Sequence, residues 1–414
     1  MEESPPPPPN LRAWTWVARI ALVLVLLCVA AIGYLVWRYR SLFDEIQKAA
    51  QQASASLGPP KTFEEHFPKV DLVDGLLDEP ETLPRLRGWS PELLASVPVG
   101  DGTFALLRGR GTEYALLGTD LAARGTLRTE SPAFAIEKFT TPKEEVAGFA
   151  LRSAKDTAAV PEWIAGIDRD GGTLWRWKPE DRGIRAAATL YDARGESGFV
   201  VGPGGEEGLV GLDLAGRPRW NVPRRHVVYE LRTHPAVPGR FLLVSGGVTL
   251  FSANGTSAPN VIRTNEVGAG ESERSKWTRE WFPHAVLFAG AEGTAAFVLA
   301  GKSHVEDVPI LVRMDERDER AWKANPNSEV KALALLEPPG KPRLVAAVTD
   351  AGDLLLLDET GTLRARARLP DAKPEERMAV YAFAAGRIGS DGWFVAVVLL
   401  HSTCVYRVHP ERLR

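Results

Sequence analysis

One short pattern recurs through most of this 414-residue chain: an apolar run ending in Asp or Ser, a glycine three residues later, and often a tryptophan beyond it. The clearest copies are AGIDRDGGTLWRW (165–177), VGLDLAGRPRWNV (210–222), TLFSANGTSAPNV (249–261), LVRMDERDERAWKA (311–324) and LLLLDETGTLRARA (354–367). Asp168, Asp213, Ser252, Asp315 and Asp358 hold the anchor position. Gly171, Gly216, Gly255 and Gly361 follow, and Trp175, Trp220 and Trp322 complete three of the copies. A looser copy carries Asp120, and the last has His409 where Asp would fall. The chemistry is that of a hairpin. A side-chain oxygen accepts backbone N–H groups ahead of it, and glycine takes the positive φ of the turn. Tryptophan then opens the returning strand, where a large flat ring fills the gap between stacked sheets.

Anchors at 120, 168, 213, 252, 315, 358 and 409 lie about 48 residues apart on average, room for four short strands and their turns. Two further strand-like runs precede each anchor, as Val330–Leu336 and Arg343–Thr349 precede Asp358. The expectation is an all-β, seven-bladed β-propeller of four-stranded blades over 95–414, a closed architecture that removes sheet edges. A pair of β-sandwiches is the alternative. After His409 and Pro410 too few residues remain for an outer strand, so the ring should be closed from 58–94. The alternating run Lys69–Asp74 is the strand expected there.

The Asp-x-x-Gly-x-x-x-Trp repeat resembles that of the quinoprotein-like propeller family, which includes quinone-dependent dehydrogenases and a non-catalytic branch. The resemblance implies a fold rather than an activity. Enzymes of that family often carry adjacent cysteines and a calcium site, whereas Cys28 and Cys404 stand far apart here, so no cofactor is expected. WD-repeat propellers fit less well, since no Trp-Asp dipeptide occurs.

Ahead of the repeats, residues 1–19 form a polar, Pro-rich tail. From Ile20 to Trp37 the chain runs without a charge, long enough as a helix to cross a bilayer, with aromatic residues near both ends. Apolar sequence continuing through Trp37 favours a retained transmembrane helix over a cleaved signal peptide. Residues 38–57 read as a short helical stalk with an Ala-rich stripe, monomeric or forming a weak homodimer, and Gly58, Pro59 and Pro60 end it. The expected localisation is single-pass in a membrane, with the C-terminal domain extracytoplasmic.

A net charge of −3 excludes a protein that tracks nucleic-acid phosphates. Local chemical motifs do not hold up. Gly301, Lys302 and Ser303 lack the upstream glycine of a phosphate loop. Asp168 to Gly171 opens like a calcium loop but lacks its closing acid. The seven histidines show no zinc spacing, and no catalytic, cofactor or metal residue is assigned. The 63-residue interval between Ser252 and Asp315 holds one unusual segment, 263–283. It combines eight charged residues with Trp277, Trp281 and Phe282, the expected partner loop. These features point to a membrane-anchored propeller that binds or scaffolds protein, with an anchored quinoprotein-like or hydrolytic enzyme as the alternative.

Overall fold

The computed structural model divides into two compact units, residues 1–62 and 63–414. It describes Tyr34, Arg38 and 65–413, apart from 89–91, 101, 141–145, 154–160, 169, 181–182, 204–207, 223–227, 246–247, 254–279, 304–307, 318–319 and 374–375. The expected tail, the span Ile20 to Trp37 and the stalk thus lie outside the described residues, save Tyr34 and Arg38, both helical and exposed. Among the described residues no helix is long and apolar enough to cross a membrane.

The second unit is all β. It opens with β1 (Lys69–Val70) and β2 (Glu81–Pro84). The first sheet follows as β3 (Leu93–Gly100), β4 (Thr103–Arg110), β5 (Glu113–Leu117) and β6 (Ala123–Arg128). The second comprises β7 (Ala133–Thr140), β8 (Val146–Ser153), β9 (Trp163–Ile167) and β10 (Thr173–Trp177). The third holds β11 (Ile184–Asp192), β12 (Gly195–Pro203), β13 (Leu209–Leu212) and β14 (Pro218–Val222). Then come β15 (Glu230–Arg232), β16 (Arg240–Val244) and β17 (Val248–Ser252), followed by β18 (Glu280–Ala289), β19 (Ala295–Ser303), β20 (Val308–Asp315) and β21 (Arg320–Ala324). The sixth is β22 (Val330–Leu336), β23 (Leu344–Thr349), β24 (Asp353–Asp358) and β25 (Thr362–Arg368); the last, β26 (Ala382–Ile388), β27 (Gly392–Val398) and β28 (Ser402–Val408).

Within each sheet the consecutive strands form an antiparallel meander, and the first strands of consecutive sheets touch in a closed circle, with β26 against β3. This is a β-propeller. Its core is split between the sheets. Leu106, Phe394 and Val405 fill the gap between last and first sheets, while Val286, Val298, Leu355 and Trp322 fill another. Middle strands are buried on both faces, as in β24 (DLLLLD), whereas outer strands such as β10 alternate.

The expectation of four strands in every blade needs correction at one sheet, which holds five. Five sheets hold four strands, and β15–β17 form three among the described residues, with 254–279 after them outside those residues. The fifth strand of the β22–β25 sheet is β1, which pairs in parallel with β25 through Lys69 with Thr362 and Val70 with Leu363. The strand on β28 is also not 69–74. It is β2, antiparallel, matching Glu81 to Val405 and Pro84 to Ser402. Apolar anchors explain the exchange: Phe67 packs with Trp322 and Leu363 beside β25, and Leu83 packs against the cluster between the last and first sheets, while Asp71 meets Arg364 and Glu81 meets Arg407. Pro84 closes the strand at its end, where its missing N–H is harmless.

At the repeat turns, Asp213 Oδ1 accepts the N–H groups of Ala215 and Arg217, both at 2.9 Å. Asp358 Oδ1 accepts those of Thr360 (2.9 Å) and Thr362 (3.1 Å). Gly361 has φ +81°, and a Cβ there would lie 2.7 Å from the Trp322 ring. The glycine is therefore needed twice, for its φ and because the preceding sheet's tryptophan occupies its side-chain space.

Candidate functional site

In a four-strand meander the first and third connections emerge at the same end of the sheet. Two of the first connections are long and share an unusual composition: HPAVPG (234–239) between β15 and β16, and EPPGK (337–341) between β22 and β23. Proline and glycine keep them out of the ladder, so they stand up on one face of the ring. With the β24–β25 turn they surround an open cavity of about 670 Å³, lined by His234, Pro235, Glu337, Pro338, Lys341, Arg343 and Glu359.

The side chains of this cavity form one chain of polar contacts. His234 Nδ1 accepts the Ala236 N–H at 3.1 Å, so Nε2 carries the hydrogen and donates to Glu337 Oε2 at 2.5 Å. Arg343 Nε donates to Glu337 Oε1 (2.8 Å) and its Nη1 to Glu359 Oε2 (3.1 Å). Lys341 Nζ donates to the Leu413 carbonyl at 2.8 Å. Burial opposes the charge on Glu337, but the hydrogen bonds from His234 and Arg343, with the charge of Arg343, outweigh it and hold its carboxyl below the usual range.

That depression has a sign. Glu337 contributes stability that is whole above the carboxyl value of the unfolded chain and is lost as pH falls through the lower, folded value. The Glu337→Gln variant should therefore lose less melting temperature than wild type between pH 7 and pH 3. Superimposable pH profiles of Tm would contradict this linkage.

The expected partner loop fares differently. Trp277 lies outside the described residues. Trp281 is half-buried and meets Tyr229 edge-on, with ring centroids 6.2 Å apart. Phe282 is fully buried against Leu242, Leu299 and Val312 in the core between two sheets, so it is not available to a partner. Pro283 misleads at the sequence level. Strand β18 starts before it and accommodates it at a shift in register between Trp281 and His284. Nearby, Glu230 of β15 accepts hydrogen bonds from His284 Nδ1 (3.0 Å) and the Ala285 N–H (3.1 Å), joining first strands of adjacent sheets.

Sequence reasoning passed over His234, Glu337 and Arg343. The signal was the paired Pro/Gly-rich loops at one place in two repeats. Cys404 is buried within β28, and among the described residues no group of three or more His, Cys, Asp or Glu could hold a metal ion.

No protein-family model matches the chain, and no curated protein does. Solved structures do. BBS1N, crystallised in complex with ARL6DN, is similar with a TM-score of 0.59 and 13% identity, over 82% of this chain and 98% of that one. BamB from Moraxella catarrhalis has a TM-score of 0.47 and 13% identity, over 80% of this chain and 99% of that one. At this identity the BBS1N likeness is one of fold: a β-propeller.

Proposed function

We propose that this chain is a membrane-tethered, seven-bladed propeller that binds a protein partner and carries out no chemistry itself. Within this reading it resembles the non-catalytic branch of the quinoprotein-like family, and the uncharged run Ile20 to Trp37 is its anchor in the bilayer. The observation that carries the proposal is the open, charged cavity on one ring face. Its side chains come from three connections on two sheets and are braced by one another. That presents fixed donors and acceptors to a polypeptide surface, at little cost in ordering on binding. BBS1N, whose propeller is similar, was crystallised with a protein, which supports the same use of the architecture.

The test is a pull-down of the intact chain from its native membrane after mild cross-linking. One protein should co-purify with wild type and be lost from Lys341→Glu and Glu359→Lys, each of which should retain the wild-type melting temperature. An unchanged set of captured proteins for both variants would refute the face as the binding site. A visible absorbance band from a bound redox cofactor would favour the enzyme instead.

A further inference from the structure

Residues 65–85 run as a strap along the outer edges of the last sheets, and it is held unevenly. Its second half is firm: Leu76 is fully buried and β2 is built into the β26–β28 sheet. Its first half touches down at Phe67, which is buried; beyond it Val73 rests partly on the core and the Asp74 carbonyl accepts from Arg412 at 3.1 Å, but between Phe67 and Val73 the grip is slight. The ladder with β25 is two residues long, extended by the Asp71 N–H to the Leu363 carbonyl (3.0 Å) and the Val73 N–H to the Arg364 carbonyl (2.8 Å). Val70 and Leu72 are 58% and 59% exposed.

What lies beneath is a basic strand edge. Strand β25 reads TLRARAR; its register against β24 shifts at Arg364, which meets Asp358, while Arg366 and Arg368 beyond the shift share a side and meet Asp353. Two of them reach the strap: Arg364 to Asp71 at 2.5 Å and Arg366 to Glu65 at 2.8 Å. All three also hold carboxylates of their own sheet, Asp358 or Asp353. Arg364 and Arg366 would thus stay oriented if the strap left. Ion pairs at such exposure are weak and screened by salt.

We propose that segment 68–74 is a displaceable internal ligand, and that the β25 edge beneath it is a docking groove for an acidic, extended segment of a partner protein. Such a segment would add in parallel to β25, with main-chain hydrogen bonds giving affinity and a carboxylate opposite Arg364, where the strap places Asp71, giving selectivity. The strap shows which chemistry the edge accepts, because it already occupies that edge in this way. The groove lies on the rim and is independent of the face cavity.

The probe is a fluorescent peptide of the strap's own sequence, FEEHFPKVDLVD (63–74), added to the full chain and read by anisotropy. Asp71→Arg, which repels Arg364, and Leu72→Gly, which only loosens the strap, should each raise peptide affinity at least tenfold by freeing the edge. Adding Arg364→Ala to either should remove the gain, as should high salt, while Lys341→Glu should leave it unchanged. If the peptide binds neither loosened variant better than wild type, while their melting temperatures show folded rings, the groove does not exist. If the gain survives Arg364→Ala, recognition is not by charge and the proposal is overturned.

Discussion

Replacing Arg108 with Ala should destabilise the ring by about 3–5 kcal/mol, because the change strands a buried carboxylate. Glu92, whose side chain is fully buried, accepts from Arg108 Nε at 2.6 Å and from Thr403 Oγ1 at 2.8 Å. Its other oxygen takes the Leu86 N–H at 3.1 Å, and Arg108 Nη2 reaches the Pro84 carbonyl at 2.5 Å. The four partners come from β4, from the end of β2 and the residues after it, and from β28, the elements that join the last sheet to the first. Without Arg108 the Glu92 charge loses its main counter-ion in a site water does not reach. The paired replacement Arg108→Met with Glu92→Gln should cost less than Arg108→Ala alone, since no buried charge remains. Thermal unfolding of the three proteins checks both statements. An Arg108→Ala variant within 1 kcal/mol of wild type would show that the seam bears no such charge pair.

Replacing Trp322 with Ala should cost a similar amount, about 3–5 kcal/mol, by leaving a cavity between two sheets. The residue is 7% exposed, packs with Phe67, Leu357 and Leu363, and donates from Nε1 to the Glu359 carbonyl at 3.0 Å. It therefore seats on the turn of the next sheet, against Gly361. The complementary change, Gly361→Val, should also destabilise, and by more than an exposed glycine such as Gly340, whose Cβ would meet nothing within 4 Å. The half-buried Trp175 and Trp220 should cost less than Trp322. Equal midpoints for Trp322→Ala and wild type would contradict the docking role.

The repeat was legible because its physics is local. Asp358, Gly361 and their counterparts make turns whose donors and acceptors lie within five residues, and Trp322 needs a glycine in the neighbouring repeat to lie against. That Trp322 seats on the following repeat's turn follows from packing between sheets, which spacing alone does not reveal. The strap was half legible. A contribution from 58–94 followed from the missing outer strand. The choice between 69–74 and 81–84 depended on which core Phe67 and Leu83 each packed against, a long-range matter. The face cavity was not legible, because His234 and Glu337 lie 103 residues apart and come together only through ring closure. Phe282 was misread because proline and charge suggested a loop where a strand had already begun.

Hydrogen exchange resolved by residue on the intact chain tests most directly the claim that both ends of this domain build one closed ring. The amides of Glu81 and Leu83, which face β28, should exchange as slowly as those of Thr403 and Val405 and be released with them on unfolding, while those of Asp71 and Val73, which face β25, exchange orders of magnitude faster. Rapid exchange at Glu81 and Leu83 alongside protected Thr403 and Val405 would show that β2 does not close the last sheet and would contradict the account.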